Sequence, residues 1–174
     1  ANITQKLIDS NMLPEAQAVW RGNCSTSNSL AFDGGFDQLD TTVATRGFDW
    51  QLSSRGDVDV VPTNDSAGNR QLDIEVSAPR TLPVLSQLVV LKPGNYRLTW
   101  NTPDTDAAKA RALQVTLDCT ANLSRAVGGM AVTGKPGMWT QDFTVDRTCQ
   151  AQRLVFWLPP RTPIRLDEVV LTPL

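Results

Sequence analysis

The sequence predicts an all-β protein built from antiparallel sheets, a sandwich or barrel, with a short helical segment in front of it. Three observations lead there. From about residue 30 onward apolar residues recur at every second position in a series of short stretches. Clusters of Gly, Pro, Asn, Asp and Ser separate these stretches at the spacing of an all-β fold. One side of each stretch is apolar and the other polar, as in antiparallel sheets that bury a single face.

The first segment has a different period. Ile3, Leu7 and Ile8 have helical spacing. Pro14 suits the first turn of a second helix, with Glu15 beside it and Ala16, Val19 and Trp20 as its apolar stripe. Residues 1–22 therefore read as a helical hairpin, either a cap on the following domain or the end of a helical repeat in a longer parent chain. Residues 23–29 read as a polar linker and residues 30–174 as the β domain.

Within that domain Phe48, Trp50 and Leu52 alternate with polar neighbours. So do Leu72, Ile74 and Val76, then Tyr96, Leu98 and Trp100, then Trp139, Phe143 and Val145. Leu154, Phe156 and Leu158 follow, and Ile164 to Leu171 closes the series. Turns are read at 54–57, 64–68, 92–95 and 134–137. Segment 102–112 reads as a loop holding a short helical turn.

Composition removes several functions. The chain has 174 residues, sixteen Lys and Arg against eighteen Asp and Glu, and a formal net charge of −2. A dedicated nucleic-acid binder needs a clustered basic excess, which is absent. There is no histidine. That excludes Ser-His-Asp and Cys-His catalysis, His-ligated zinc and an imidazole switch. No apolar run approaches the roughly 20 residues of a membrane span. No signal peptide opens the sequence, so Ala1 reads as a processed or cut start and the compartment must be inferred from the cysteines.

Of the three cysteines, Cys119 ends one alternating segment and Cys149 precedes another. Such positions lie on neighbouring strand ends, where a disulfide fits. A Cys119–Cys149 bridge is expected over free buried thiols, and it places the chain in an extracytoplasmic compartment, a periplasm or the cell exterior. Cys24 is left as a free thiol without a histidine to activate it.

The order of motifs resembles the galactose-binding-like β-jelly-roll domains and, among them, bacterial carbohydrate-binding modules. The stretch Gln87-Leu88-Val89-Val90-Leu91-Lys92-Pro93-Gly94-Asn95-Tyr96-Arg97-Leu98 carries it most specifically. Phe32-Asp33-Gly34-Gly35-Phe36, Gly47-Phe48-Asp49-Trp50 and Ile164-Arg165-Leu166-Asp167-Glu168-Val169 support it. The resemblance covers roughly residues 30–174. It implies an antiparallel β-sandwich of jelly-roll type and a non-catalytic module for a polysaccharide or glycan. It also implies a structural calcium ion, for which Asp33, Asp37 and Asp167 occupy comparable places.

Sugar sites combine an aromatic platform with polar side chains that bond hydroxyls. If the alternation holds, one polar face collects Gln71, Asp73, Glu75, Gln87, Arg97, Thr99, Asn101, Gln114, Thr116 and Asp118. Trp157 is out of phase with Leu154, Phe156 and Leu158, so it is the expected stacking platform. The expected ligand contacts are Trp157, Gln87, Arg97, Asn101 and Gln114. Tyr96, Trp50, Trp100 and Trp139 are in phase with apolar residues and read as core. A loop-rim site using Asp37, Gln38, Arg55, Asp57, Asn64 and Asp65 stands as an alternative place for ligand.

Other patterns fail on chemistry. Gly129 to Pro136 approaches a phosphate-binding loop, but Pro136 stands where a Ser or Thr must hold magnesium. Arg55-Gly56-Asp57 reads as a hairpin turn. Asp57 to Val61 lacks the Gly of an EF-hand. Asp73 and Glu75 are the available carboxylate pair, yet residues side by side on one strand rarely bracket a glycosidic bond. The chain is expected not to be an enzyme. The alternative function is a structural or protein-interaction sandwich of a larger envelope protein.

Overall fold

The computed structural model describes residues 3–24, 29–119 and 127–174. Two helices, α1 (Ile3–Asp9) and α2 (Leu13–Cys24), precede the strands. The strands are β1 (Gln51–Leu52), β2 (Val58–Asn64), β3 (Arg70–Val76), β4 (Leu82–Val89), β5 (Gly94–Asn101), β6 (Gln114–Cys119), β7 (Val127–Gly128), β8 (Met130–Ala131), β9 (Met138–Val145), β10 (Gln152–Leu158) and β11 (Ile164–Pro173). A single helical turn, α3 (Ala107–Arg111), lies between β5 and β6, where the side chain of Asp106 accepts from the amides of Ala108 and Lys109. The side chain of Cys24 lies outside the described residues. Among the described residues no helix is long and apolar enough to cross a membrane.

The strands form a sandwich of two sheets in which the described pairings are antiparallel. The first sheet has the order β1-β4-β10-β6-β7 and the second β2-β3-β11-β5-β9-β8. The core lies between them. The alternation fixes its contents: Leu154, Phe156 and Leu158 of β10 face Leu72, Ile74, Leu98, Trp100 and Leu166 from the other sheet within one buried cluster. Aromatic rings link the layers. Phe36 meets Trp50 at 5.6 Å, Trp50 meets Phe156 at 6.3 Å, and Phe156 meets Trp100 edge-on at 5.7 Å. Tyr96, Trp50, Trp100 and Trp139 are all buried, as their phase requires.

One strand expectation needs correction. Only Gln51 and Leu52 of the 48–52 stretch are paired. Asp49 instead closes a turn through its amide to the Arg46 carbonyl, so Phe48 and Trp50 do not share a face. Trp50 enters the main core, while Phe48 joins a second cluster with Leu13, Ala16, Trp20, Leu88 and Ala151.

That second cluster is where the helices dock. Trp20 lies edge-on to Phe32 at 5.2 Å and to Phe48 at 5.9 Å. At about 25 cal/mol per Å² and roughly 150–250 Å² per aromatic side chain, burial of Trp20 contributes several kcal/mol. Gln17 donates to the Val90 carbonyl at 3.0 Å, and the Gly47 amide donates to Gln5 at 3.1 Å. Gly47 has φ +60°, and a Cβ there would lie 2.6 Å from the Trp20 ring, so both conformation and space require glycine. The helices thus cap one end of the outer face of the five-stranded sheet, over Leu88 and Ala151.

Cys119 and Cys149 form a disulfide with a Cα separation of 5.5 Å. It ties the end of β6 to the turn before β10. In register, Cys119 faces Gln152 of β10.

Candidate functional site

Past the helical cap, none of the described residues covers the outer face of the five-stranded sheet. Three residues of β10 spaced by two, Arg153, Val155 and Trp157, point to it, opposite to Leu154, Phe156 and Leu158. They line a groove of about 570 Å³ together with Gln51, Ser86 and Asp118. Val155 is the floor, set between Ser86 of β4 and Thr116 of β6. A register shift between Phe156 and Trp157 leaves Trp157 opposite Pro83 on one side and Gln114 on the other.

The indole of Trp157 is half-buried and held in place. Its Nε1 donates to the Thr116 hydroxyl at 3.0 Å, and that hydroxyl donates to Asp118 Oδ2 at 3.3 Å. With the ring nitrogen engaged, the remaining surface of the ring is an oriented apolar plate. At the other end Arg153 Nη1 donates to Gln51 Oε1 at 3.2 Å and to Ser86 Oγ at 3.5 Å. The groove therefore offers an aromatic plate, an aliphatic floor, and amide, hydroxyl, carboxylate and guanidinium groups on its walls. This combination suits a ring with apolar faces and a hydroxylated rim.

The expected ligand contacts do not all meet there. Trp157 and Gln114 stand opposite one another on this face. Arg97 and Asn101 belong to β5 of the six-stranded sheet, on the far side of the molecule. Arg97 closes a bidentate pair with Asp142 at 2.8 and 3.0 Å. This pairing holds the Asp142 carboxyl below its ordinary value.

Gln87 is corrected as well. It faces the core, opposite Leu154, and is 1% exposed. Its amide accepts from the Phe32 amide at 2.9 Å and donates to the Phe32 carbonyl at 2.8 Å, which uses both ends internally. Sequence reasoning missed Gln51, Ser86, Arg153 and Val155. The last two were findable, because they precede Trp157 by four and two residues in the same phase.

Asp33, Asp37 and Asp167 come from two segments that meet. The loop 33–38 packs against the bulge in β11, where Glu168 has φ 52° and the Val169 amide donates to the Gly34 carbonyl at 3.0 Å. A Cβ on Gly34 would overlap the Val169 carbonyl oxygen and lie 2.9 Å from its carbon, so glycine is what lets the loop approach. Burial, chiefly, pushes the Asp33 carboxyl up to about 6, and the charges of Asp37 and Asp49 add to it. Asp167 rises to about 6 by burial, with Glu168, Asp37 and Asp65 adding. These hard oxygens are the donor type calcium takes. Among the described residues, no three acidic side chains converge into an assembled metal cluster.

A second groove, of about 640 Å³, lies on the six-stranded sheet beside α3. Asp73 and Glu75 line it, but Arg165 Nε donates to Asp73 at 2.8 Å and Glu75 stands opposite Asp59 in register. The pair sits along one wall, with Asp73 held by a guanidinium.

No family model matches the sequence, and no curated protein is significantly similar to it. Solved structures are similar in fold. The chain overlays TmCBM61, solved in complex with β-1,4-galactotriose, with a TM-score of 0.52 at 16% identity, covering 85% of this chain and 100% of that one. It overlays a CBM4 structure with a TM-score of 0.52 at 18% identity, covering 83% and 99%. The enzymatically active domain of tailspike protein 4 from bacteriophage CBA120 gives 0.55 at 11% identity. There the similarity covers 84% of this chain and 22% of the tailspike chain. With its two antiparallel sheets, jelly-roll-type sandwich and short helices, the chain has the fold of the carbohydrate-binding modules.

Proposed function

We propose that the chain is a non-catalytic glycan-binding module that works outside the cytoplasm and binds its ligand on the outer face of the five-stranded sheet. The observation that carries this reading is Trp157, a half-buried indole fixed by Thr116 in a groove walled by Gln51, Ser86, Asp118 and Arg153. A pyranose stacks its C–H face on such a ring, and the walls bond its hydroxyls. Binding of this kind requires no bond chemistry. The fold shared with carbohydrate-binding modules supports the reading by analogy.

The test is a polysaccharide-binding screen on the purified chain and on Trp157→Ala. Retention lost in the variant, with an unchanged melting curve, is the expected result. Retention unchanged in the variant moves the site off this face, and no retention by either protein removes the glycan reading.

The disulfide supports an oxidising compartment. Alkylation of protein recovered from its native cells, with and without reductant, tests that placement. A structural calcium ion at Asp33, Asp37 and Asp167 belongs to the same reading. Its support is the donor type and the mutual repulsion of these carboxylates. A higher melting temperature in calcium than in chelator is the expected sign of it.

A further inference from the structure

We infer that the groove selects an acidic polysaccharide, with Arg153 taking a uronate carboxylate while Trp157 stacks on a sugar ring of the same ligand. The inference rests on the glycan-binding reading and deepens it. Arg153 is half-buried in the groove wall, and its guanidinium donates to the neutral oxygens of Gln51 and Ser86. Among the described residues, every ion pair involves another cation: Arg55 with Asp57, Arg97 with Asp142, and Arg165 with Asp73 and Asp104. Among the described residues Arg153 closes no ion pair, and its hydrogen bonds use Nη1 alone. A guanidinium fork matches a carboxylate with two parallel bonds, which a neutral hydroxyl pair does not supply.

Asp118 stands opposite Arg153 in register, and its Oδ2 accepts from Thr116. It brings an acceptor for sugar hydroxyls to the same groove. Arg55, the other cation of the lining, closes onto Asp57 at 2.9 Å through both arms. The opposite groove carries five carboxylates against Lys109 and Arg165. With Arg55 taken up by Asp57, Arg153 and the opposed Asp118 are the remaining charged groups of the groove with the aromatic plate, so selection of an anion there rests on the guanidinium fork and not on net charge.

Arg153 and Trp157 are four residues apart on β10, about 13 Å between Cα atoms at strand rise. Their side chains lean toward one another from there: Arg153 Nη1 reaches Ser86 and the Trp157 ring nitrogen reaches Thr116, and both of those residues pair with Val155 in register.

The experiment measures binding of the full chain to polygalacturonate, alginate and hyaluronan, and to the carboxyl-reduced, neutral form of each. Arg153→Gln and Trp157→Ala are compared with the parent protein. The expected result is a polyuronate bound roughly tenfold or more tighter than its reduced form. That preference should weaken with salt and vanish in Arg153→Gln. Arg153→Gln should lose far more affinity for the charged form than for the neutral one. If Arg153→Gln fails to fold, Arg153→Lys is read instead, and it should keep only part of the preference because it lacks the fork. Equal binding of charged and reduced polymers, or a preference that survives in Arg153→Gln, overturns the inference and leaves the glycan reading standing. No binding to any polymer, charged or neutral, overturns both.

Discussion

Replacing Gln87 with Met separates a structural pin from a ligand contact. The substitution keeps the side chain's length and apolar stem but removes its two bonds to the Phe32 backbone, at 2.9 and 2.8 Å. Gln87 is 1% exposed, so the Phe32 amide and carbonyl lose partners on a side that water does not reach. Leaving a buried polar group unsatisfied costs about 1–3 kcal/mol. Two such groups, offset by burial of the Met thioether, give a loss of about 2–4 kcal/mol. For a chain of this size that lowers the melting temperature by about 5–12 °C. The effect should extend to the helical cap, because the Phe32 ring packs on Trp20. Urea unfolding followed by tryptophan fluorescence reads the loss as a lower midpoint with an unchanged slope. Glycan affinity of the folded protein should not change, since Gln87 faces away from the groove. A variant with the parent's midpoint and weakened glycan retention would refute the reasoning and return Gln87 to the binding site.

Three other outcomes are expected. Gly34→Ala forces the 33–38 loop off the β11 bulge and breaks the bond from Val169, so it should cost about 2–4 kcal/mol in a denaturant titration; a parent-like midpoint would contradict the close approach. Replacing Cys119 and Cys149 together by Ala should cost about 3–4 kcal/mol, from the loop entropy of a 30-residue separation, and the parent protein in reductant should match the double variant. In chelator the melting temperature should rise by a few degrees from pH 7.5 to pH 5. Asp33 and Asp167, both raised to about 6, keep protons in the folded state that the unfolded chain has already lost, so stability falls as pH climbs through that window. Asp40, Asp57, Asp65, Asp142 and Asp146 are lowered and act in the opposite sense only at more acidic pH. A melting temperature that drops between pH 7.5 and pH 5 would contradict the assignment.

The fold was legible because alternation is a local property. Each run of apolar residues states which side of its strand is buried, and Leu154, Phe156 and Leu158 against Trp157 is the clearest case. Alternation does not state which sheet a strand joins. Arg97 and Trp157 both point outward, yet they lie on opposite sides of the sandwich, because β5 pairs with β11 and β9 while β10 pairs with β4 and β6. Gln87 failed for a different reason. Its phase with Leu85 and Val89 already pointed inward, but its polarity argued outward, and the backbone that satisfies it lies 55 residues away. Its counterpart Gln152 is hidden in the same way, bonded to the Leu91 amide at 2.8 Å. Buried amides that serve distant backbone look like surface residues in a sequence.

The position of β11 bears on how the protein comes into being. Residues 164–173 form a strand that lies between β3 and β5, so the six-stranded sheet consists of two separate ribbons until it is inserted. β10, only slightly earlier in the chain, does the same for β4 and β6. A polypeptide leaving the ribosome in order therefore carries several open strand edges and no closed core until its last strands emerge. Its assembly depends on long loop closures, which makes folding slow and keeps the nascent chain extended in the meantime. Until β10 and β11 take their places, those open edges are free to pair with other chains, and aggregation competes with folding.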